Sequence, residues 1–412
     1  MKMRALIAAA VVVAVAGLAR ADWPGFMGPD GLGVAAGEKV NKDWSTPPKQ
    51  LWKVAVGEGF AGPAIAGGKV YLLDRKGTEE SFRVLDLMTG AEEWAEKYST
   101  PSYSGSYPGS RGTPCVDGEM AYSIGVTGAV YAWDLKAKKS AWNKSLTKDF
   151  GAAAGPWGFA TSPVVLRDMV IIDTPGSSKS GVVALNKKTG EVMWTSAAIG
   201  KDGGADSYTT PVVATIAGAE QLVVWHKGAV VGVDAKDGKH LWTFEWKTDR
   251  PIPNPVALPG DKIFLTIGYK GGCALIKIEK GASGLAVKEI FKGDNKSASK
   301  VPPAIFYDGY IYTSGNDSGK GLQCLDADGN VKWTGNTKFG LGSMLLADGV
   351  IFVINGNNGG LSMVAASPEG YKELGSFKPL GGKDVWAPLA IANGKLVVRD
   401  QTQMICLDVG VK

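Results

Sequence analysis

The fold is decided by a stretch in the middle of the chain, residues 162–194, which read SPVVLRDMVIIDTPGSSKSGVVALNKKTGEVMW. A small residue and Pro163 open a short apolar run, and two further apolar runs follow before a Thr-Gly turn at Gly190 and an aromatic residue, Trp194. The runs are rich in Val and Ile and are bounded by turn-forming residues, which is typical of β-strands. The stretch therefore predicts one unit of short antiparallel strands whose last strand carries an aromatic side chain, that of Trp194.

The same template recurs along most of the chain. The Pro residues that open successive copies are 51, 49, 48, 44 and 48 residues apart, and they are Pro63, Pro114, Pro163, Pro211, Pro255 and Pro303. Two more copies begin near Gly342 and at Pro388, and the last one ends after its third apolar run. A period of about 40–50 residues suits one four-stranded blade of a β-propeller. The sequence therefore predicts an all-β, eight-bladed propeller.

The fourth strand that the eighth copy lacks is found near the other end of the chain. Residues 50–54, Gln-Leu-Trp-Lys-Val, have the pattern of an outer strand with its ring, Trp52. An open ring of blades would leave two unpaired sheet edges, which promote aggregation. We therefore expect residues 50–54 to pair with the last blade. Residues 50–412 then form a single domain, and residues 22–49 are an extension in front of it.

The first residues have the pattern of a secretory signal peptide. A basic region with Lys2 and Arg4 precedes an apolar run from Ala5 to Ala19, and a small-x-small site ends at Ala21. This run is shorter than the about 20 apolar residues that span a membrane. We expect cleavage after Ala21, a mature chain without a transmembrane segment, and a periplasmic or secreted monomer.

Charge and composition disfavour several classes of function. The chain has 45 Lys and Arg against 40 Asp and Glu, and without residues 1–21 it has 42 against 40 and no basic patch. Nucleic acid is therefore not an expected partner. The two histidines, His226 and His240, have no Cys, Asp or Glu at ligand spacing. Asp326 opens an Asp-rich turn, but Thr337 stands where a calcium loop needs Glu. No metal site is predicted.

The repeat unit Leu-Asp-x-x-Thr-Gly-x-x-x-Trp, as at residues 85–94, resembles the tryptophan-docking repeat of the pyrroloquinoline-quinone (PQQ) propellers. That superfamily includes the quinoprotein alcohol dehydrogenases and BamB, a non-catalytic subunit of the outer-membrane β-barrel assembly machinery. Residues 23–31, WPGFMGPDG, are similar to the start of many secreted bacterial PQQ-like proteins, although Met27 replaces their usual Arg. The resemblance covers roughly residues 50–408, and it implies an envelope propeller of a secreted branch.

The same resemblance implies what a working quinoprotein needs: an adjacent Cys-Cys disulfide over the quinone, a Trp platform, and a Glu/Asn/Asp set that holds Ca²⁺. No two of the four cysteines are adjacent; they are Cys115, Cys273, Cys324 and Cys406. We interpret them as small buried hydrophobes, although an oxidising compartment leaves three disulfide pairings open. No cofactor is predicted, and PQQ with calcium stays an alternative.

Candidate binding residues stand just before the Pro motifs, where the innermost strands begin and converge on the channel. They are Phe60, Arg111, Phe159, Tyr208, Asn254, Lys300 and Trp386, with Trp157 beside them. Residues 98–111 form a Tyr/Ser-rich insertion that carries Tyr103 and Tyr107, a composition typical of recognition surfaces. A cationic and aromatic mouth suits an anionic or planar ligand. The alternatives are rings that plug the channel and an ordered surface loop.

Two functions follow from this pattern. The favoured one is a non-catalytic propeller outside the cytoplasm that acts as a scaffold and binds an envelope protein, a polymer or another ligand through its loops. The alternative is a divergent PQQ-dependent or other small-ligand enzyme that uses the channel mouth. The identity of the partner does not follow from the sequence, because the fold alone does not fix an activity.

Overall fold

The computed structural model describes residues 22–103, 105–200, 205–248, 250–282, 284–294, 297–314, 319 and 321–411. The predicted signal peptide and its cleavage site lie outside this part. In this part of the chain, one short α-helix, α1 Leu146–Phe150, lies among strands, turns and loops. Within the described ranges, no helix has the length and apolar character that crossing a membrane requires.

The strands form eight antiparallel sheets in a ring. Two strands precede the first repeat, β1 Val34–Ala35 and β2 Lys49–Ala55. The first four repeats contain β3 Ala64–Ala66, β4 Lys69–Lys76, β5 Glu79–Asp86, β6 Glu92–Ser99, β7 Cys115–Asp117, β8 Met120–Ile124, β9 Ala129–Asp134, β10 Lys139–Ser145, β11 Val164–Leu166, β12 Met169–Asp173, β13 Val182–Asn186, β14 Val192–Thr195, β15 Val212–Ile216, β16 Ala219–His226, β17 Gly228–Asp234 and β18 His240–Trp246. The last four contain β19 Val256–Leu258, β20 Lys262–Ile267, β21 Gly272–Gly281, β22 Gly284–Asp294, β23 Ile305–Tyr307, β24 Tyr310–Thr313, β25 Gln323–Asp326, β26 Val331–Thr334, β27 Met344–Ala347, β28 Val350–Ile354, β29 Leu361–Ala365, β30 Glu373–Phe377, β31 Ala390–Ala392, β32 Lys395–Arg399 and β33 Gln403–Asp408.

Blades 1 to 7 place their four repeat strands in chain order from the channel outwards, whereas the outermost strand of blade 8 comes from the front of the chain. Blades 1 to 6 are β3–β6, β7–β10, β11–β14, β15–β18, β19–β22 and β23–β26. Blade 7 contains β27–β30, and the short strand β1 joins it as a fifth, parallel strand on the channel side. Blade 8 contains β31–β33. The predicted eight-bladed architecture is therefore confirmed, whereas the fifth strand of blade 7 was not expected.

The N-terminal strand closes the ring as predicted. β2 lies antiparallel to β33, with a register that runs from Lys49 opposite Asp408 to Ala55 opposite Gln403. Trp52 is 6% exposed, and its indole N–H donates to the Leu87 carbonyl of blade 1 at 2.7 Å. Blade 8 is thus completed by the front of the chain, which also contacts blade 1.

Rings on the outer strands pack against glycines in the turns of the following blade. A Cβ atom added at Gly190 would lie 2.7 Å from the ring of Trp142, and one added at Gly90 would lie 2.7 Å from the ring of Trp52. The equivalent distance from Gly238 to Trp194 is 2.5 Å. The glycine in the Thr-Gly turn is therefore needed because the neighbouring ring occupies the space of its side chain.

We expect Gly190→Ala to lower the free energy of unfolding by about 2–4 kcal/mol, because strain and overpacking add at this position. Gly190 has a φ of 72°, and its missing side chain makes room for Trp142. Gly260→Ala is the matched control, because Gly260 has a φ of 77° but no atom within 4 Å of an added Cβ. Denaturant unfolding measures both variants, and equal losses would show that the ring contact contributes nothing.

A belt of hydrogen bonds joins the inner strands through the residue before each Pro. The Gly62 N–H donates to Thr113 Oγ1 at 3.2 Å, and the Thr113 N–H donates to Ser162 Oγ at 3.0 Å. The series continues from Ser162 to Thr210 and from Thr210 to Asn254, both at 2.9 Å. Each buried amide therefore finds its acceptor in the next blade, which explains the Thr, Ser and Asn side chains at this place.

The extension in front of β2 crosses one end of the channel; we call residues 22–47 the strap. The backbone N–H groups of Trp23 and Ile65 each donate to the other residue's carbonyl at 2.8 Å, which ties the strap to β3. The Glu38 carboxylate accepts from the N–H groups of Asn393 and Gly394 at 2.6 and 2.7 Å in blade 8. The strap is therefore fixed to blade 1 at its start and to blades 7 and 8 towards its end.

Candidate functional site

The inner strands begin around a cavity at the end of the channel opposite the strap turns, and we call this cavity the mouth. Its volume is about 200 Å³. Six of the predicted binding residues line it, namely Phe60, Tyr107, Arg111, Trp157, Tyr208 and Trp386. Phe26 and Met27 of the strap reach it from the other side. The loops of several blades and the strap together build the site.

One wall of the mouth is a group of rings under a guanidinium. Phe60 stacks on Trp386 with ring centroids 5.0 Å apart and an interplanar angle of 22°. Tyr107 lies 4.9 Å from Trp386. The guanidinium carbon of Arg111 lies 5.2 Å from the centre of the Phe60 ring, which is a cation–π distance.

The opposite wall repeats this arrangement with other residues. Trp157 packs on Tyr208 with centroids 5.1 Å apart. The Arg250 guanidinium lies 5.3 Å from the Trp157 ring and 5.7 Å from the Tyr269 ring. The Lys300 ammonium lies 5.3 Å from the Tyr269 ring. The mouth thus has a positive charge and aromatic faces on both sides.

Arg250 and Tyr269 were missed by the sequence reasoning. Arg250 lies five residues before Pro255, and Tyr269 follows β20, so neither stands at the position where the other candidates were sought. A usable signal was the aromatic Tyr269 in a turn between two strands, where large rings are exposed only at a cost.

Four of the predicted residues do not line the mouth, namely Tyr103, Phe159, Asn254 and Lys300. In blades 1 to 5, the residue that lines it is the third before the Pro. At this position, Ala160 and Ile252 line the cavity in blades 3 and 5. Phe159 is one residue out of register, is 2% exposed, and packs its ring against Gly128 between blades 2 and 3. Asn254 is 3% exposed and belongs to the hydrogen-bond belt.

Arg111 is held by neutral groups. Its guanidinium donates to the carbonyls of Gly109 at 2.9 Å and Ser106 at 3.2 Å and to Tyr103 Oη at 3.5 Å. It forms no ion pair with a carboxylate in the part of the chain that the structure describes. Burial lowers the pKa of Arg111, since desolvation disfavours the charged form. A bound anion would supply the missing opposite charge.

The Tyr/Ser-rich insertion connects the two walls. The Tyr103 hydroxyl donates to the Pro156 carbonyl at 3.0 Å, next to Trp157. The guanidinium of Arg111 also lies 5.6 Å from the Tyr103 ring. Ser104 of this insertion lies outside the described residues. Tyr103 therefore contributes to the mouth by fixing Arg111 and the Trp157 loop, and the cavity itself is lined by Tyr107.

A buried carboxylate supports the mouth from behind. Glu80 is 0% exposed; it accepts from Ser110 Oγ at 2.7 Å, from the Val126 N–H at 2.9 Å and from the Tyr98 hydroxyl at 3.2 Å. The Ser110 carbonyl in turn accepts from the Phe60 N–H at 2.7 Å. Glu80 is thus linked through one residue to the loop that carries Phe60.

The two histidines have different surroundings. His226 Nε2 lies 2.7 Å from Asp173 Oδ1, and both side chains are fully buried between blades 3 and 4. His240 is exposed and contacts Thr243. The His226 partner is 53 residues away in sequence, so spacing along the chain did not reveal it. The described ranges contain no group of three or more His, Cys, Asp or Glu side chains arranged for a metal ion.

The residues at the mouth do not fit a calcium-bound quinone. Three cations, Arg111, Arg250 and Lys300, lie over the rings of the mouth, and cations repel Ca²⁺. The Asp206 carboxylate beside Tyr208 already pairs with Lys227 at 4.0 Å. All four cysteines lie among the described residues, and none forms a disulfide. Our interpretation as small buried hydrophobes is confirmed for Cys273, Cys324 and Cys406, which are buried, whereas Cys115 is half-buried. We therefore derive no catalytic step from such a group.

Comparisons with known proteins agree with this fold. The family model described as outer membrane protein assembly factor BamB matches residues 83–281. No curated protein matches the sequence. The solved quinohemoprotein alcohol dehydrogenase from Comamonas testosteroni is similar with a TM-score of 0.66 at 13% identity, over 95% of this chain and 81% of that chain.

Two further solved structures share this architecture. BamB from Moraxella catarrhalis is similar with a TM-score of 0.63 at 13% identity, over 87% of this chain and 99% of that chain. A computationally designed protein is similar with a TM-score of 0.59 at 11% identity, over 90% of this chain and 100% of that chain. A dehydrogenase, BamB and a designed protein thus share the architecture, and the likeness shows the fold alone. The chain therefore has the architecture of an eight-bladed β-propeller, and over residues 83–281 it is similar to the BamB family of PQQ-like propellers.

Proposed function

We propose that this chain is a non-catalytic propeller of the bacterial envelope that binds a protein or polymer partner through its mouth. The observation that carries the proposal is the pair of guanidinium groups, Arg111 and Arg250, that lie over aromatic rings on the two walls of one cavity. The match to the BamB family model supports a binding role. A location outside the cytoplasm rests on the leader pattern of residues 1–21.

The chemistry of the mouth selects an anionic or planar group. Aromatic faces provide contact area, and guanidinium groups pair with carboxylate or phosphate through charge-assisted hydrogen bonds. The cavity of about 200 Å³ is smaller than the about 300–1,000 Å³ that is usual for drug-sized ligands. It therefore suits one or two groups that protrude from a larger partner, such as an acidic and an aromatic side chain.

Photo-crosslinking tests this proposal on the full mature chain in its native envelope. A photoreactive residue at Tyr107, which is 43% exposed, is expected to yield one dominant adduct. Arg111→Gln is expected to reduce its yield about tenfold, because a desolvated cation contact contributes about 1–2 kcal/mol. Arg167→Gln is the control, since Arg167 is exposed and pairs with Glu220 on another part of the surface.

Three outcomes would count against a binding scaffold. The adduct yield of Arg111→Gln would equal that of Arg167→Gln, or no adduct would form at the mouth. A third is that the purified chain, titrated with PQQ and Ca²⁺, gains thermal stability and oxidises alcohols with a dye as acceptor. That result would favour the enzyme alternative.

A further inference from the structure

The strap covers the inner strands unevenly. β3, β27 and β31, in blades 1, 7 and 8, are fully buried. In blade 3, all three residues of β11 are half-exposed. In blade 4, Val213 and Ala214 of β15 are half-exposed and Thr215 is exposed. The part of the channel end that belongs to blades 3 and 4 is therefore open.

A groove lies at the open part of the channel end, beside blades 3 and 4. Its volume is about 400 Å³, and it lies between strap residues 24–31 and the strands β7, β11 and β15. Its apolar lining includes Val164, Val165, Leu166 and Val213. Phe26 of the strap lines both this groove and the mouth, so the strap separates the two cavities.

The strap itself shows how the inner strands bind an extended chain. Val116 of β7 donates its N–H to the Pro24 carbonyl at 2.8 Å, and Leu346 of β27 donates to the Gly33 carbonyl at 2.8 Å. β1 pairs with β27 as a regular strand. The channel-side edges of these blades therefore form backbone hydrogen bonds to an added segment.

Blades 3 and 4, which the strap leaves open, present backbone N–H groups at the equivalent position. Val116 is the second residue after its Pro, as Val165 and Val213 are after theirs. Successive backbone groups along a strand alternate between its two edges, so the N–H groups of Val165 and Val213 point into the groove. The Val165 N–H lies against the Cys115 thiol, which is a weak acceptor that a peptide carbonyl can displace.

We propose that this groove binds an extended, apolar segment of a partner protein, which adds a strand to β15 and β11. The edges are three and five residues long, so a segment of that length fits. The groove continues the interface that the strap already forms with β3, β7 and β27. Its lining combines Val and Leu side chains of β7, β11 and β15 with Pro and Gly residues and the side chains of Asp30 and Asp117. Backbone bonds give affinity in this mode, and the pockets between Val and Leu side chains select the peptide. The proposal does not rest on the function of the mouth.

The test uses the full mature chain and a dye-labelled Lys-Thr-Val-Ile-Val-Thr-Lys peptide, measured by fluorescence anisotropy. We expect saturable binding that weakens at least tenfold in Val213→Asp, because the variant puts a charge in the apolar groove. Val192→Asp is the matched control, since Val192 is 51% exposed on an outer strand, and it is expected to bind like the parent chain. A peptide that is N-methylated at alternate residues is expected to bind at least tenfold more weakly.

Hydrogen exchange of the unmodified chain gives a readout that does not depend on a variant's folding. Peptide addition is expected to slow exchange of the Val213 and Thr215 amides at least tenfold and to leave the Val116 amide unchanged. The proposal is overturned if the N-methylated peptide binds as well as its parent, if Val213→Asp and Val192→Asp bind equally, or if the Val213 amide is not protected.

Discussion

Replacement of residues 48–55 by a Gly-Ser linker of equal length is expected to remove about 5 kcal/mol or more from the free energy of unfolding. That loss is comparable with the about 5–15 kcal/mol that stabilise a typical domain. Because the linker keeps the strap attached, the loss in free energy of unfolding reports the contribution of β2 alone. Its loss leaves the edge of β33 without the pairing between Lys49 and Asp408 and removes the Trp52 ring from its site on Gly90.

Two point variants separate the contribution of the Trp52 side chain from that of the backbone pairing. Trp52→Ala keeps the backbone pairing and is expected to lose about 3–5 kcal/mol, as buried aromatic truncations do. Gln50→Ala, on an exposed position of the same strand, is expected to stay within about 0.5 kcal/mol of the parent. Thermal and denaturant melts measure all three. A linker variant that melts like the parent chain would show that the ring does not depend on its closing strand.

Glu80→Ala is the second change with a large expected effect, about 3–5 kcal/mol of unfolding free energy. The variant leaves the Ser110 hydroxyl, the Val126 N–H and the Tyr98 hydroxyl without the acceptor that they share. Each buried donor that loses its partner costs about 1–3 kcal/mol. Denaturant unfolding measures the loss, and exchange of the Phe60 amide, which bonds to the Ser110 carbonyl, is expected to accelerate.

Glu79→Ala is the control for this prediction. Glu79 pairs with Lys97 at 3.0 Å in a solvent-accessible position, and such pairs contribute about 0–1 kcal/mol. An equal effect of the two substitutions, or an unchanged Phe60 amide in Glu80→Ala, would contradict the supporting role that we assign to Glu80.

The sequence predicted the ring because its signals are local and repeated. Most copies open with a Pro, and four of them place a Trp four residues after the turn glycine, as at Gly190 and Trp194, so a worn copy does not change the period. The closing strand was predicted because Trp52 matches this unit and the last copy lacks it. The mouth was predicted in part because the strand starts converge in any such ring.

The features that the sequence did not predict depend on contacts between segments that are distant in the chain. The backbone conformation before each Pro decides which side chain faces the channel, and it places the half-exposed Ala160 there and not the buried Phe159. The strap has no repeat pattern, so its bonds to Ile65 and Gly394 followed only from the structure. The same holds for Arg250, whose partner rings come from two other loops.

The pairing of Lys49 with Asp408 sets an order on biogenesis. β2 has no partner until β33, more than 340 residues later in the chain, has been synthesised. Contacts of such long sequence separation form slowly, because chain entropy opposes them. Until then, β2 stays unpaired, and a chain that stops before β33 lacks the strand that closes the ring.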